Sequence, residues 1–398
     1  MKTFQVWITF VTAMSKTLVR SLFSKSAALK QLNTQLLSES RDNCVVSGLL
    51  GSAVSLIIAE TFKTTDLPFL LILNDKEEAA YHLNDLENLL GDDNVLFYPG
   101  SYRRPYQIEE TDNANVLLRS EVLNRINSRK KPSLIVTYPE ALFEKVVTKK
   151  ELDKNTLKIS VGENVSIDFV NEVLFEYKFK RTDFVTEPGE FSVRGGILDV
   201  FSFSNDEPYR IEFFGDDVDS IRSFDVETQL SLEQLKKISI IPNVDASTTL
   251  SERLSFLDYI SNKTVVCLKN EELLSGAIDK LYEKATDAFN KTGGEVKRAT
   301  PVALFCTSRL LKKQLKAFQR ITLGSSTLLG HQDTVERSPS GDEERITFKT
   351  KPQPSFNKQF NLLIENLNQN TADGYTNYIF CSSEQQAKRF HDIFEDAQ

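Results

Sequence analysis

Along residues 44–139, short apolar runs alternate with stretches whose apolar positions recur at helical spacing. The run 44–47 leads into a helical pattern over 53–62, the run 68–73 into one over 76–90, and the run 95–98 into one over 113–126, before a last run at 133–137. Strands that alternate with helices through short connections predict a parallel sheet covered by helices. From about Phe143 to Asp225 the texture changes to period-two segments broken by Gly, Asp and Asn. The clearest are 190–203 and 208–214, and the second turns at Gly215-Asp216-Asp217 into 218–224, the pattern of a β-hairpin. Runs at 238–242, 264–268 and 302–305, interleaved with helical stretches at 271–290 and 308–318, return to the first texture and are expected to complete the first sheet.

These textures divide the chain into five parts. A first segment of a parallel-sheet α/β domain covers 1–141, an inserted small α+β domain 142–232, and the second segment of the first domain 233–330. A polar stretch at 331–345, containing Ser338-Pro339-Ser340-Gly341-Asp342, reads as a linker. The runs at 346–350, 355–367, 375–381 and 384–397 then read as a small C-terminal α/β domain, and the pattern is that of a piece cut from a longer protein.

A length of 398 residues agrees with several domains, because one hydrophobic core rarely serves so long a chain. With 40% hydrophobic and 26% charged residues, a disordered chain or a coiled-coil rod is excluded. The net charge of -8 disfavours autonomous, tight binding to DNA by phosphate neutralisation. Cys44, Cys267, Cys306 and Cys381 lie far apart among apolar or small neighbours, so buried thiols are expected and no metal or disulfide framework. Residues 1–15 resemble a short signal peptide, with Lys2 ahead of Val6, Trp7, Ile8, Phe10 and Val11; they lack a clean small-residue cleavage site, and Met14 offers an alternative start. No later stretch approaches the ~20 apolar residues of a membrane span, and a cytoplasmic protein without membrane partners is expected.

The first candidate chemistry lies after the run at 44–47. A phosphate loop follows a strand, opens a helix and reads G-x-x-x-x-G-K-[ST]; its amides hold phosphates and its lysine reaches the terminal ones. Here the order is Gly48-Leu49-Leu50-Gly51-Ser52-Ala53-Val54-Ser55. Gly48, Gly51 and Ser55 keep the context, but Val54 stands where the lysine belongs and Ala53 where a second glycine lets the backbone wrap. A degenerate phosphate loop and an ordinary strand-to-helix turn both fit.

A second constellation is basic: Arg181, Arg194 before Gly195-Gly196, Arg210 and Glu212 two apart in a strand, and Arg222. Period-two spacing puts Arg210 and Glu212 on one face of a sheet and Ile211 and Phe213 on the other. Guanidiniums on such a face suit a carboxylate-bearing partner, while internal Arg–Glu pairing on a solvated face fits as well. A further group, Arg103, Arg104, Arg119, Arg125, Arg129, Lys130 and Lys131, interleaves with Tyr98, Tyr102 and Tyr106, as a single-strand nucleic-acid surface would, but Glu109, Glu110 and Asp112 make a mixed-charge loop the simpler expectation. His82, His331 and His391 are far apart, carry no Cys or Asp company at ligand spacing and read as structural, and no Ser-His-Asp pattern or nucleophile elbow occurs, so no catalytic or metal-ligating residue is expected.

The central block carries a family resemblance. Gly189-Glu190-Phe191-Ser192-Val193-Arg194-Gly195-Gly196-Ile197-Leu198-Asp199-Val200-Phe201, Pro208-Tyr209-Arg210-Ile211-Glu212-Phe213-Phe214 and Ser223-Phe224-Asp225 with Thr228-Gln229 resemble the N-terminal region of the bacterial transcription-repair coupling factors, itself similar to the first domains of the excision-repair protein UvrB. Tyr98-Pro99 and the run at 135–139 add to it. The resemblance implies a degenerate RecA-like, phosphate-loop-type domain in two sequence segments, with an insert that recruits the damage-recognition ATPase UvrA. On this basis Arg181, Arg194, Arg210, Glu212 and Arg222 belong to the UvrA-binding face, which further parts of the protein would mask. It implies a docking module and not an enzyme for this chain: no cofactor here, with ATP, Mg, DNA and RNA polymerase engaged by a translocase motor and other regions C-terminal to it. Two departures from UvrB accompany it: Val54 in place of the lysine, and a stretch at 99–111 too short for UvrB's tyrosine-rich hairpin.

Overall fold

The computed structural model describes residues 23–38, 43–101, 113–128, 131–203, 205, 207–242, 252–291, 299–324, 344–379, 381 and 383–395. Two sheets organise it. The first has seven strands in the spatial order Glu344–Thr347, Cys44–Ser47, Gln319–Leu323, Val265–Leu268, Phe69–Ile72, Leu134–Thr137 and Val95–Tyr98, every neighbouring pair parallel. Phe69–Ile72, Leu134–Thr137 and Val265–Leu268 are buried at every position, as parallel strands covered on both faces are. Alternation then shares their side chains between two cores. Phe69 and Leu71 pack with Ile57, Ile58 and Phe62 of the helix Ala53–Thr65 and Leu86 of the helix Lys76–Leu90. Leu70 and Ile72 pack with Val122 and Leu123 of the helix Asn113–Ser128 and Leu274 and Ile278 of the helix Glu271–Lys291.

The second sheet has six strands that follow one another in space as in sequence: Lys180–Arg181, Glu190–Arg194, Ile197–Val200, Tyr209–Phe214, Asp217–Phe224 and Ser231–Leu235. All pairs are antiparallel except the first, and the hairpin expected at Gly215-Asp216 is present. Phe191, Leu198, Val200, Tyr209, Ile211 and Phe213 form its apolar face, closed by Val170 and Leu174 of the helix Ile167–Glu176. The opposite face is polar, and it holds the candidate site.

The parallel α/β architecture with an inserted α+β unit is as the pattern predicts, while several strands sit elsewhere. The run at 238–242 does not complete the first sheet: Lys237–Ile240 pairs antiparallel with Leu157–Ser160, and Ile238 and Ile240 join the core of the second sheet. Residues 302–305 lie in and after a helical turn, Pro301–Leu304, begun by a proline whose fixed φ suits a first helical position. The strand that fills that place is Gln319–Leu323, where half-buried Arg320 and Thr322 alternate with buried Gln319, Ile321 and Leu323. Glu344–Thr347 pairs with Cys44–Ser47, so the run at 346–350 begins on the first sheet and not in a separate piece; Ile346 and Phe348 bury there. Residues 375–379 form no strand, and the helices Phe360–Ala372 and Glu384–Glu395 meet through Phe360 and Phe390, ring centroids 5.9 Å apart. Among the described residues no helix is long and apolar enough to cross a membrane. Most of the 331–345 linker, His331 included, lies outside the described residues.

Candidate docking face

Strand alternation and register assemble the face. Asp199 lies opposite Ser192 on one side and Arg210 on the other, and Arg210 lies opposite Arg222. Glu212 lies between Ile197 and Ser220. A polar row, Ser192, Asp199, Arg210 and Arg222, therefore crosses four strands, with Arg194, Glu212 and Ser220 in the adjacent cross-strand row.

Asp199 is the centre of the row. Its side chain is fully buried and accepts from two guanidiniums: Arg210 gives Nε to Oδ1 at 2.8 Å and Nη2 to Oδ2 at 2.9 Å, and Arg194 gives Nη2 to Oδ2. Arg210 also donates Nη1 to the Gln229 carbonyl at 3.1 Å and lies over the Phe224 ring at 4.5 Å. Its hydrogen bonds to Asp199 hold its guanidinium further above its already high range. Arg194 donates Nη1 to the Asp183 carbonyl at 3.1 Å, and its guanidinium lies 5.3 Å from the Phe184 ring. Beside them Glu212 accepts from the Ser220 hydroxyl at 2.8 Å and from Arg222, and those contacts, the Ser220 bond first, keep its carboxyl below the usual range. The internal pairing that the sequence left open is thus real, yet Arg194 and Arg222 keep side-chain exposures of 40% and 35%.

Arg181 stands apart. Its register with Phe191 puts it out of phase with Ser192 and Arg194, on an exposed two-residue edge strand. The sequence had missed Asp199, Ser220 and Phe184. The signal for Asp199 is an acid in an otherwise apolar run, Ile197-Leu198-Asp199-Val200, on the strand between those of Arg194 and Arg210.

The loop at Gly48–Ser55 keeps its strand–turn–helix context, but its groups are engaged within the chain. The Ala53 and Val54 amides donate to the Leu50 and Gly51 carbonyls at 3.1 and 3.3 Å. Ser55 is buried against Nδ1 of His82 at 2.8 Å, Ser52 meets the Tyr81 hydroxyl at 2.6 Å, and Val54 is part of the first sheet's core. Gly48 has φ +75°, and its carbonyl accepts from the amide and hydroxyl of Thr350 at 3.2 and 2.6 Å. A Cβ there would sit 1.8 Å from the Phe348 carbonyl oxygen, so glycine is what lets the edge strand pass.

In the third basic group Arg119 is not at the surface. Arg119 is fully buried, donates to the Pro99 carbonyl at 2.8 Å, pairs with Glu144 at 3.3 Å and lies over Tyr98. Glu144 in turn accepts from the amide and hydroxyl of Ser101. A guanidinium in such a pair is interior structure, since an unpaired charge there costs too much to keep. Arg103, Arg104, Arg129, Lys130, Tyr102 and Tyr106 lie outside the described residues. Cys44, Cys267 and Cys306 are buried free thiols and Cys381 is half-buried; burial pushes Cys306 up to about 11, which leaves it protonated and inert near neutral pH.

Comparison with known proteins bears on the same block. Residues 157–245 match the UvrB interaction domain, a span that contains every residue of the polar row. The transcription-repair-coupling factor of Bacillus subtilis (strain 168) is 32% identical over 254 residues, covering 61% of this chain and 21% of the relative. That of Staphylococcus aureus (strain USA300) is 34% identical over 235 residues, covering 58% of this chain and 18% of the relative. The chain thus spans about a fifth of the length of the relatives it matches.

Proposed function

We propose that this chain, which its matches support as the N-terminal region of a transcription-repair-coupling factor, is a docking module that recruits UvrA to transcription complexes stalled at lesions. The observation that carries this is the Asp199-centred row within the span matching the UvrB interaction domain. A buried carboxylate fixes two guanidiniums, so little freedom is lost when a partner's carboxylate meets them. RNA polymerase, DNA and ATP-driven movement belong, on this reading, to the remainder of the relatives' length. Masking of the face by such a region is the corresponding means of control.

No nucleotide turnover is assigned to this chain. Val54 offers a γ-phosphate no charge, and a phosphate entering the loop would have to break the turn hydrogen bonds of Ala53 and Val54. The test is titration calorimetry with purified UvrA. The 398-residue chain is expected to bind, and Arg194→Glu to weaken binding by about 2 kcal/mol or more, the usual cost of disrupting an interfacial charge pair. Binding of Arg194→Glu with unchanged affinity would remove the polar row from the site, and measurable ATP turnover by the chain would refute the non-catalytic assignment.

A further inference from the structure

The first sheet carries a cavity that neither the loop at Gly48–Ser55 nor the docking face uses. Three adjacent parallel strands, Val265–Leu268, Phe69–Ile72 and Leu134–Thr137, end side by side. At their carboxyl ends lies a space of about 220 Å³, walled by Ile72, Leu73, Pro139, Leu268 and Leu274. Its position follows from the path of the chain. After Phe69–Ile72 the chain enters the helix Lys76–Leu90 on one face of the sheet, and after Val265–Leu268 it enters Glu271–Lys291 on the other. Where neighbouring parallel strands send their helices to opposite faces, the two turns part and leave a crevice, the place where open α/β sheets bind ligands. The loop at Gly48–Ser55 lies elsewhere, because it follows Cys44–Ser47, which Gln319–Leu323 separates from Val265–Leu268.

The lining says what fits. Its charges are balanced: Lys269 pairs with Glu78, and in the first turn of Glu271–Lys291 Glu271 pairs with Arg320 at 2.7 Å and Glu272 with Lys312 at 2.9 Å. The capacity left over is that of two carboxamides that also line the space. Oδ1 of Asn270 accepts from the Glu272 and Leu273 amides at 2.8 and 3.0 Å, which leaves its NH2 to spare. The Asn74 carboxamide has no partner among the described residues. Leu273, another lining residue, is 62% exposed, apolar surface that an occupant would cover. An apolar cavity of ~150 Å³ holds benzene, so this one has room for a flat ring.

We propose that this crevice binds the base of a nucleoside. The ring lies against Ile72, Leu268, Leu273 and Leu274, and Asn74 and Asn270 take its hydrogen-bonding edge, as carboxamides, with donor and acceptor side by side, pair with the edges of bases. Because the charges around the crevice are paired with one another, it favours an uncharged molecule and gives phosphates no free cation. The proposal does not depend on the docking function.

Equilibrium dialysis of the full chain against adenosine, guanosine, cytidine and uridine, each beside its triphosphate with Mg, tests it. At least one nucleoside is expected to bind saturably, and no more weakly than its triphosphate. Asn74→Ala and Asn270→Asp are each expected to weaken that binding about fivefold, the worth of one ordinary hydrogen bond. Asn74 is exposed, and Asn270→Asp keeps the oxygen that caps the helix while removing the NH2, so melting temperatures should stay at the wild-type value and report intact folding. Absence of saturable binding by any of the four nucleosides at millimolar concentration overturns the proposal. Binding that both variants retain at wild-type affinity overturns it too, by placing the base elsewhere. A triphosphate bound about tenfold or more tighter than its nucleoside does the same, since charge-assisted phosphate contacts would then carry the binding.

Discussion

Glycine brings backbone close to backbone at two strand ends in this molecule, with opposite outcomes. At Gly48 the approaching segment is the chain's own Phe348–Thr350, and the Gly48 carbonyl, the Ser52 and Ser55 hydroxyls and the Ala53 and Val54 amides find partners inside. At Gly195-Gly196 the approach of Phe213 leaves Arg194 and Phe214 at the surface, where Arg194 has donors to spare. A phosphate loop works by leaving amides unpaired for a ligand, and here the Ala53 and Val54 amides are spent on turn hydrogen bonds. The proposed docking face is built the other way: its buried carboxylate orients groups whose outer edges stay available.

The largest expected effect is at the interior pair Arg119–Glu144, which lies in neither region and is a control for both. Arg119→Met leaves Glu144 buried without its cation and is expected to cost about 3–5 kcal/mol in urea unfolding, since half of a buried pair is worse than none. Under conditions where the variant is folded, UvrA affinity should be unchanged; a parallel loss of affinity would tie the docking face to that pair. Gly48→Ala should cost about 1–3 kcal/mol, because φ +75° strains an L side chain and the Phe348 carbonyl must move away. A variant as stable as wild type would mean that the edge strand does not hold the loop.

Asp199→Asn probes the open region. The guanidiniums it frees can reach water, so the expected loss of stability is about 1 kcal/mol, near that of one hydrogen-bond set, while UvrA affinity falls and Asp199→Glu recovers part of it. Equal loss in both variants would assign Asp199 to packing alone. The smallest effect is at His82, whose pKa burial lowers while nearby Glu78 opposes it. The folded chain therefore takes up this proton less readily than the unfolded chain. Stability is full above the ordinary imidazole pKa and is lost as pH falls through and below it, by about 0.7 kcal/mol between pH 7 and pH 6 if the folded imidazole stays neutral. His82→Gln should flatten that dependence, and an unchanged slope would assign it to other groups.

The sequence made the first sheet largely legible because parallel strands buried on both faces read as unbroken apolar runs, as in Phe69–Ile72 and Leu134–Thr137. Gln319–Leu323 escaped because its Gln, Arg and Thr interrupt the run, although Arg320 pairs with Glu271 and so pays little for its place. Residues 302–305 misled because an apolar run of four carries no period, and Pro301 decides it. In the docking face the spacing of Arg210 and Glu212 gave the right side of the strand. It could not give Asp199 its second arginine, which depends on the register between strands.

The edge strand that closes Gly48 also sets an order of assembly. The six strands of the docking sheet lie between residues 180 and 235, each beside its neighbour in sequence, so their contacts are local and can form as soon as that stretch leaves the ribosome. Cys44–Ser47 is in a different position: its partners on both sides, Gln319–Leu323 and Glu344–Thr347, are made after the six-stranded sheet, and its Ser47 meets Thr347 across 300 residues. During synthesis that strand presents two unpaired edges while the insert is already complete, a template for wrong pairing. The six-stranded sheet can thus close before the seven-stranded one, whose completion waits for Gln319–Leu323 and Glu344–Thr347 to reach Cys44–Ser47.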